Sequence, residues 1–283
     1  MIDMLIIALI VLSIFLSSLL SLAVILFLLF LFLLVRPAKK REVNEKLLCE
    51  YAHRGLHGDG VPENSLEAFE LACKSGYGIE LDVQLSRDGE VMVFHDYTLD
   101  RMCGESGKIS DLTLAELRGI RLLGTEEGIP TLREVLETVG GRVPLLVELK
   151  GESADDALCL ATAELLDEYD GVYAVESFNP LLLRWFKTNR PSVARGQLVT
   201  NMMKNRKEGN KLLNFLLTGL FLNFLSRPDF IACDIKHMGG PSFYICVKLF
   251  RAKQVYWTVK SRDDFNAIRE AEAYSIFEGF IPR

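Results

Sequence analysis

Residues 4–35 form a run of 32 residues without a charge, in which serines are the only polar side chains. At about 1.5 Å per residue, a helix of that length exceeds the ~30 Å hydrocarbon core of a bilayer. Two spans would need roughly 17 residues each, more than the run supplies, so it reads as one transmembrane helix. A cleaved signal peptide would carry an apolar segment of about 7–15 residues behind a basic flank. Here the flank is Met1-Ile2-Asp3, without Lys or Arg, and a retained anchor is expected. Arg36, Lys39, Lys40 and Arg41 follow the run and nothing basic precedes it. Basic residues stay on the cytoplasmic side. The expected topology is therefore single-pass, with the N-terminus outside and the remainder cytoplasmic. Ser13, Ser17 and Ser21 share one face at a spacing that permits close helix packing.

Past residue 41 the chain carries 28 basic and 37 acidic side chains, a net charge of −9, which argues against nucleic acid as a ligand. Beside an anionic leaflet, such an acidic body needs the basic linker at 36–47 to hold it. Six cysteines are scattered without a CxxC pair, which fits a reducing compartment and argues against zinc. Residues 48–283 fit one large domain of about the size of a (β/α)8 barrel.

Short β-rich apolar runs recur through this part, at Leu48–His53, Gly78–Val83, Pro144–Leu149, Val172–Phe178, Ala194–Val199, Phe230–Ile235, Val255–Val259 and Ile276–Ile281. Helix-start signals lie between most of them. Asn64 with Glu67, Thr113 with Glu116, and Thr131 with Glu134 have capping-box spacing, and Asn179-Pro180 sets a cap before a first-turn proline. Strand–helix alternation predicts a parallel sheet, and eight strands predict its closure into a (β/α)8 (TIM) barrel of the α/β class. One segment breaks the rhythm. Ser86-Arg87-Asp88-Gly89 lies between two apolar runs, a hairpin signal, so residues 84–130 read as a small insertion after the second strand. Residues 212–225 are also unusual, with ten Leu or Phe among fourteen. They are too short to span a bilayer. Either a buried barrel helix or a segment dipping into the membrane interface accounts for them.

The chemistry concentrates between His53 and Asp96, where three of the four histidines lie. Glu80 and Asp82, at i and i+2 of a strand, point to one face. Two carboxylates so close repel unless a cation joins them, and hard oxygens suit Mg²⁺ or Ca²⁺. Glu148 on a later strand offers a third carboxylate, and Lys150 shares its face. His53 and His95 each close an apolar run and frame the acid pair, as a general acid and base would. Arg54 can clamp a phosphate in bidentate fashion. Glu63 and Asn64 sit where a loop runs into a helix. Asn64 suits the cap, and Glu63 suits orienting His53, Arg54 or a metal shell. His57, in a Gly-rich loop, reads as solvated, and His237 as a residue at the pocket edge.

Taken in order, His53-Arg54-Gly55, Pro62-Glu63-Asn64-Ser65, Glu80-Leu81-Asp82-Val83, Val93-Phe94-His95-Asp96, Pro130-Thr131-Leu132, Glu148-Leu149-Lys150 and Trp257-Thr258-Val259 resemble the glycerophosphodiester phosphodiesterase family. The resemblance covers about residues 50–280. It implies a (β/α)8 barrel with a small insertion, and a divalent cation, commonly Ca²⁺ or Mg²⁺, held by Glu80, Asp82 and Glu148. It further implies His53 and His95 as the acid–base pair, and Arg54 and Lys150 as phosphate contacts. Two positions depart from the family pattern. Lys260 stands where Asn usually follows Trp-Thr-Val, and Phe277-Glu278-Gly279-Phe280-Ile281-Pro282-Arg283 replaces a final strand that usually reads Asp-Gly-Ile followed by Thr-Asp-x-Pro. The first bears on headgroup contacts and the second shortens one wall of the pocket.

The activity so implied is hydrolysis of a glycerophosphodiester to glycerol 3-phosphate and an alcohol, with water or a neighbouring glycerol hydroxyl as nucleophile. The anchor and residues 212–225 leave open a lipid substrate, such as a lysophospholipid, and hence a lysophospholipase D or a phosphatidylglycerol-type phospholipase. A phospholipase of the phosphoinositide-specific or sphingomyelinase D kind is a nearby rival on the same barrel type. A reading of another class, an inactive barrel that binds phospholipid headgroups, is opposed by retention of both histidines, three acids and Arg54.

Overall fold

A computed structural model describes residues 2–38, 43–151, 154–205, 210–237 and 240–282. Lys39, Lys40 and Arg41 of the basic linker, and Arg206 and Lys207, lie outside the described residues. Eight parallel strands, β1 (Tyr51–His53), β2 (Gly78–Leu85), β4 (Leu145–Leu149), β5 (Tyr173–Ser177), β6 (Ala194–Val199), β7 (Phe230–Asp234), β8 (Lys253–Val259) and β9 (Tyr274–Phe277), form one sheet. β1 pairs with both β2 and β9, so the sheet closes into a barrel. The remaining strand, β3 (Val91–Val93), folds back antiparallel on β2 after the turn at Ser86–Gly89, with Val83 opposite Val93.

Period-two alternation sorts the side chains. On β2, Ile79, Leu81 and Val83 point outward into the apolar layer shared with Phe69, Leu132 and Val135 of the surrounding helices. Glu80, Asp82 and Gln84 therefore point into the lumen. Tyr51, Leu146, Ala174, Phe230, Val255 and Ile276 pack into a separate apolar plug. Two glycines make room for its rings: a Cβ on Gly196 would lie 2.1 Å from the Phe230 ring, and one on Gly78 would lie 2.7 Å from that of Tyr51. With the lower lumen filled by apolar groups, the polar residues of the same strands are left at the C-terminal ends, where barrel active sites form.

Between β3 and the next long helix, Leu132–Val139, the chain makes short helical turns around its own small core of Met92, Phe94, Leu99, Ile109 and Leu117. The capping boxes at Thr113/Glu116 and Thr131/Glu134 are both formed, and Asn179 caps the helix that starts at Pro180. Asn64 behaves differently from the expectation. Helix α2 (Leu66–Ser75) is capped by Ser65, whose hydroxyl accepts from the Ala68 amide. Asn64 has φ 54° and turns its side-chain amide to Asp82, a buried carboxylate that needs donors more than the helix end does.

Helix α1 (Ile2–Val35) projects an exposed apolar surface, and Leu9–Val35 is long and apolar enough to cross a membrane. The Ser17, Ser18 and Ser21 hydroxyls donate to carbonyls of their own helix. Its last turn is docked on the barrel. Val35 is 1% exposed, and its carbonyl accepts from Asn223 Nδ2 (3.0 Å) and Cys246 Sγ (3.2 Å). Arg227 donates to the Arg36 carbonyl at 2.8 Å, and the Phe32 and Phe250 rings meet at 4.6 Å. Residues 212–225 form no single buried helix. Short helices Lys211–Thr218 and Asn223–Ser226 bury Asn214 and Asn223 and leave Leu212, Leu213, Phe215 and Phe224 exposed.

Candidate active site

The predicted site residues converge at the C-terminal ends of β1, β2 and β4. Asp82 is the register partner of Glu148, and Glu80 that of His53. One carboxylate oxygen from each of Glu80, Asp82 and Glu148 lies within 4.8 Å of the others, and all three residues are buried. Lys150 Nζ reaches both Asp82 (3.1 Å) and Glu148 (3.0 Å). The Arg54 amide donates to Glu80 at 3.0 Å from a left-handed backbone (φ 55°), and the Arg54 guanidinium holds Glu63 at 2.6 Å and approaches Asp82 at 3.4 Å. Left-handed φ at two non-glycine residues, Arg54 and Asn64, costs on the order of 1–3 kcal/mol each. Here both conformations aim a donor at the acid cluster.

The electrostatics explain why the cluster suits a cation. Burial, then the charges of Asp82 and Glu148, push the Glu80 carboxyl well above the usual range. Burial lifts Glu148 to about 7 despite the opposing Lys150. Burial would raise Asp82 as well, but Lys150 and Arg54 outweigh it and hold that carboxyl below its ordinary value. Three hard-oxygen donors that cannot all shed their protons together are the donor set that Mg²⁺ or Ca²⁺ takes, so these residues fit a divalent cation.

Each histidine is held by a carboxylate at Nδ1. His53 Nδ1 lies 2.7 Å from Glu278, whose other oxygen pairs with Lys260 at 2.8 Å. His95 Nδ1 lies 2.6 Å from Asp96, which also pairs with Arg101 at 2.6 Å. Arg101 continues to Glu63 and so to Arg54. A carboxylate at Nδ1 selects the Nδ1–H tautomer and leaves Nε2 for proton transfer. His53 Nε2 stands 3.9 Å from Glu80, and His95 lines the same cavity as Glu148 and Lys150. Burial lowers both histidines from their ordinary value, opposed at His53 by the bond to Glu278 and at His95 by the charge of Asp82.

Sequence reasoning overlooked four groups at or behind the site. Glu278 and Lys260, noted as departures in the pocket wall, form a pair behind His53. Asp96 was visible only as the neighbour of His95. Glu176, on β5 opposite Glu148, is buried with one carboxylate oxygen lacking a hydrogen-bond partner, and burial together with Glu80 and Glu148 pushes it well above the usual carboxyl range. The only hint of it was an acid in the apolar run Val172–Phe178. His57 is half-buried beside His53 and Glu278 and is not a solvated loop residue. His237 does not line the cavity that holds His95 and Lys150.

A closed parallel barrel with acids and histidines gathered at its C-terminal rim defines a (β/α)8 enzyme scaffold. Residues 53–277 match the sequence model of the Glycerophosphoryl diester phosphodiesterase family. A glycerophosphodiester phosphodiesterase of Caldanaerobacter subterraneus is 36% identical over 162 residues, 52% of this chain and 65% of that protein, just under two thirds of its length. Among solved structures, an Oleispira antarctica phosphodiesterase in complex with the product sn-glycerol-3-phosphate superposes with TM-score 0.66 at 26% identity, covering 81% of this chain and 92% of that one. A glycerophosphodiester phosphodiesterase from Thermotoga maritima does so with TM-score 0.62 at 26% identity, covering 84% and 95%. The chain belongs to the glycerophosphoryl diester phosphodiesterase family and is by class a phosphoric diester hydrolase.

Proposed function

We propose that the chain hydrolyses glycerophosphodiesters to glycerol 3-phosphate and an alcohol, using His53 and His95 as the acid–base pair. The observation that carries this reading is the meeting of three buried carboxylates with two histidines, each fixed at Nδ1 by its own acid. Glu80, Asp82 and Glu148 would hold a divalent cation, which when bound supplies Lewis-acid neutralisation of charge on the phosphoryl group. Arg54 and Lys150 contact the phosphoryl oxygens once a substrate anion competes with Glu63 and Asp82 for them. One histidine takes the proton of the nucleophile as the new P–O bond forms: water gives glycerol 3-phosphate directly, whereas the neighbouring glycerol hydroxyl gives a cyclic glycerol phosphate that water then opens to the same product. The other gives a proton to the alkoxide as the old P–O bond breaks, so the pair exchanges one proton overall. Glu63 and Asn64 fix Arg54 and Asp82 respectively. The test is product analysis with purified full-length protein and glycerophosphocholine. Equal release of choline and glycerol 3-phosphate, with Mg²⁺ or Ca²⁺ present, is expected. Tight retention of the diester without cleavage would instead favour the headgroup-binding alternative.

The reading includes a retained anchor, with the barrel cytoplasmic. The docked last turn of α1 supports retention, because losing the helix would strip Asn223 and Cys246 of their Val35 partner. Arg36 at the helix end supports the orientation. Added protease should digest the barrel in inside-out membrane vesicles and spare it in right-side-out ones. The reverse pattern would overturn the orientation.

A further inference from the structure

The cavity at the C-terminal rim has two chemically different ends. It encloses about 470 Å³, within the range of ligand pockets. One end is polar, with His95, Glu148 and Lys150. The other is a wall of Leu181, Met202, Leu213, Leu217, Leu222 and Leu225. Leu213 and Leu217 are one turn apart on the 211–218 helix, and Leu222 and Leu225 continue the stripe. A water-soluble glycerophosphodiester needs the polar end alone, and its glycerol and small alcohol would leave these leucines facing water.

The wall also leads toward the anchor. Its two short helices are built inside out for a soluble surface: Asn214 and Asn223 are buried, while Leu212 is 65% and Phe215 52% exposed. Buried Asn223 explains the inversion at its end, since its amide holds the Val35 carbonyl at the close of α1. Where α1 leaves a bilayer, the groove wall and the exposed Leu212, Phe215 and Phe224 are therefore tied next to it. The apolar wall of the cavity thus runs from Lys150 to Leu222 and Leu225, which flank the Asn223 that holds the end of α1.

From this geometry, and resting on the phosphodiesterase reading above, we propose that the favoured substrate is a single-chain lysophospholipid taken from the bilayer, its phosphodiester at the acid cluster and its acyl chain along the leucine wall. Cleavage on the alcohol side by water would give a lysophosphatidate and the free alcohol, the water oxygen bonding to phosphorus as the alkoxide leaves with a proton. By the glycerol hydroxyl it would give the alcohol and a cyclic phosphatidate, which water then opens to the lysophosphatidate. One stripe serves one chain, and a lysolipid also keeps the neighbouring glycerol hydroxyl that a two-chain lipid lacks. Both routes to the nucleophile therefore stay available to it.

The test measures kcat/KM of the full-length enzyme, in one detergent, on lysophosphatidylcholine, glycerophosphocholine and phosphatidylcholine. Leu213→Asp is made at an exposed position that folding tolerates, and Leu217→Trp fills the groove without adding charge. Wild type should favour lysophosphatidylcholine, and either variant should lower its kcat/KM by about tenfold or more while glycerophosphocholine stays within about twofold. If both substrates fall together, if wild type favours glycerophosphocholine, or if the two-chain lipid is cleaved fastest, the proposal is wrong while the phosphodiesterase reading stands. If wild type cleaves none of the three, both fail.

Discussion

Replacing His53 or His95 by alanine is expected to lower kcat on glycerophosphocholine by about 10²–10⁴-fold, the usual contribution of a positioned acid or base. The two imidazoles are fixed from behind by different acids, His53 by the sequence-distant Glu278 and His95 by the adjacent Asp96. Neither can therefore take over the other's proton. The fold should survive each change, because Glu278 keeps Lys260 and Asp96 keeps Arg101 when the ring is gone. Steady-state kinetics beside thermal melts separate lost chemistry from lost structure. Wild-type turnover in either variant would remove that histidine from the mechanism. The positioning acid gives a graded control: Glu278→Gln should lower kcat by about 10–100-fold with KM little changed, as for residues that orient a catalytic group. Glu278→Asp should recover part of the loss. A KM effect with kcat intact would instead make Glu278 a substrate contact.

The contrast between His53 and Glu278 explains what could be read along the chain. Strand–helix alternation is a local property, so the eight barrel strands emerge from apolar runs and their turn signals. The clustering of Glu80 and Asp82 follows from the two-residue period of a single strand. Strand ends were less legible. β1 begins at Tyr51, not Leu48, because residues 45–47 make a 3₁₀ turn first. β9 ends at Phe277, after which Glu278 and Gly279 (φ 81°) turn the chain toward His53. The contacts that sequence reading overlooked are those no local pattern encodes. The Glu278–His53 bond spans 225 residues and exists only because closure sets β9 beside β1. Asn64 shows the same competition on a shorter range. Its spacing from Glu67 fits a cap, yet the buried charge of Asp82 draws the amide away, and the neighbouring Ser65 caps instead. Residues 212–225 were ambiguous because their apolar positions follow neither a core face nor a clean amphipathic stripe. The structure gives them three neighbours at once: the barrel, the cavity and the end of α1.

The second large effect concerns the acid cluster, where adding Mg²⁺ or Ca²⁺ is expected to restore activity to chelated enzyme and to raise Tm. Without a cation, Lys150 and Arg54 leave the charges of Glu80, Asp82, Glu148 and the adjoining Glu176 undercompensated, and the shortfall in positive charge is met by protons on the carboxyls that burial has pushed up. A ligand that binds only the folded state at a hundredfold excess over Kd stabilises by about 2.7 kcal/mol. For a domain of this size that amounts to roughly 5–10 °C in Tm. The sign of the pH effect follows from the same carboxyls. Cation and proton compete for them, so affinity should weaken as pH falls through about 7, where Glu148 gains its proton. Asp82→Asn should abolish the Tm shift, because Asp82 is the member held ionised by Lys150 and Arg54. It should also reduce turnover at least as far as loss of a histidine, since the phosphoryl charge would then be left to Arg54 and Lys150 alone. Differential scanning fluorimetry against metal concentration at two pH values, with kinetics after chelation, reads all three effects. If no divalent ion shifts Tm and chelation leaves turnover intact, the acids serve the fold and the histidines alone carry the chemistry.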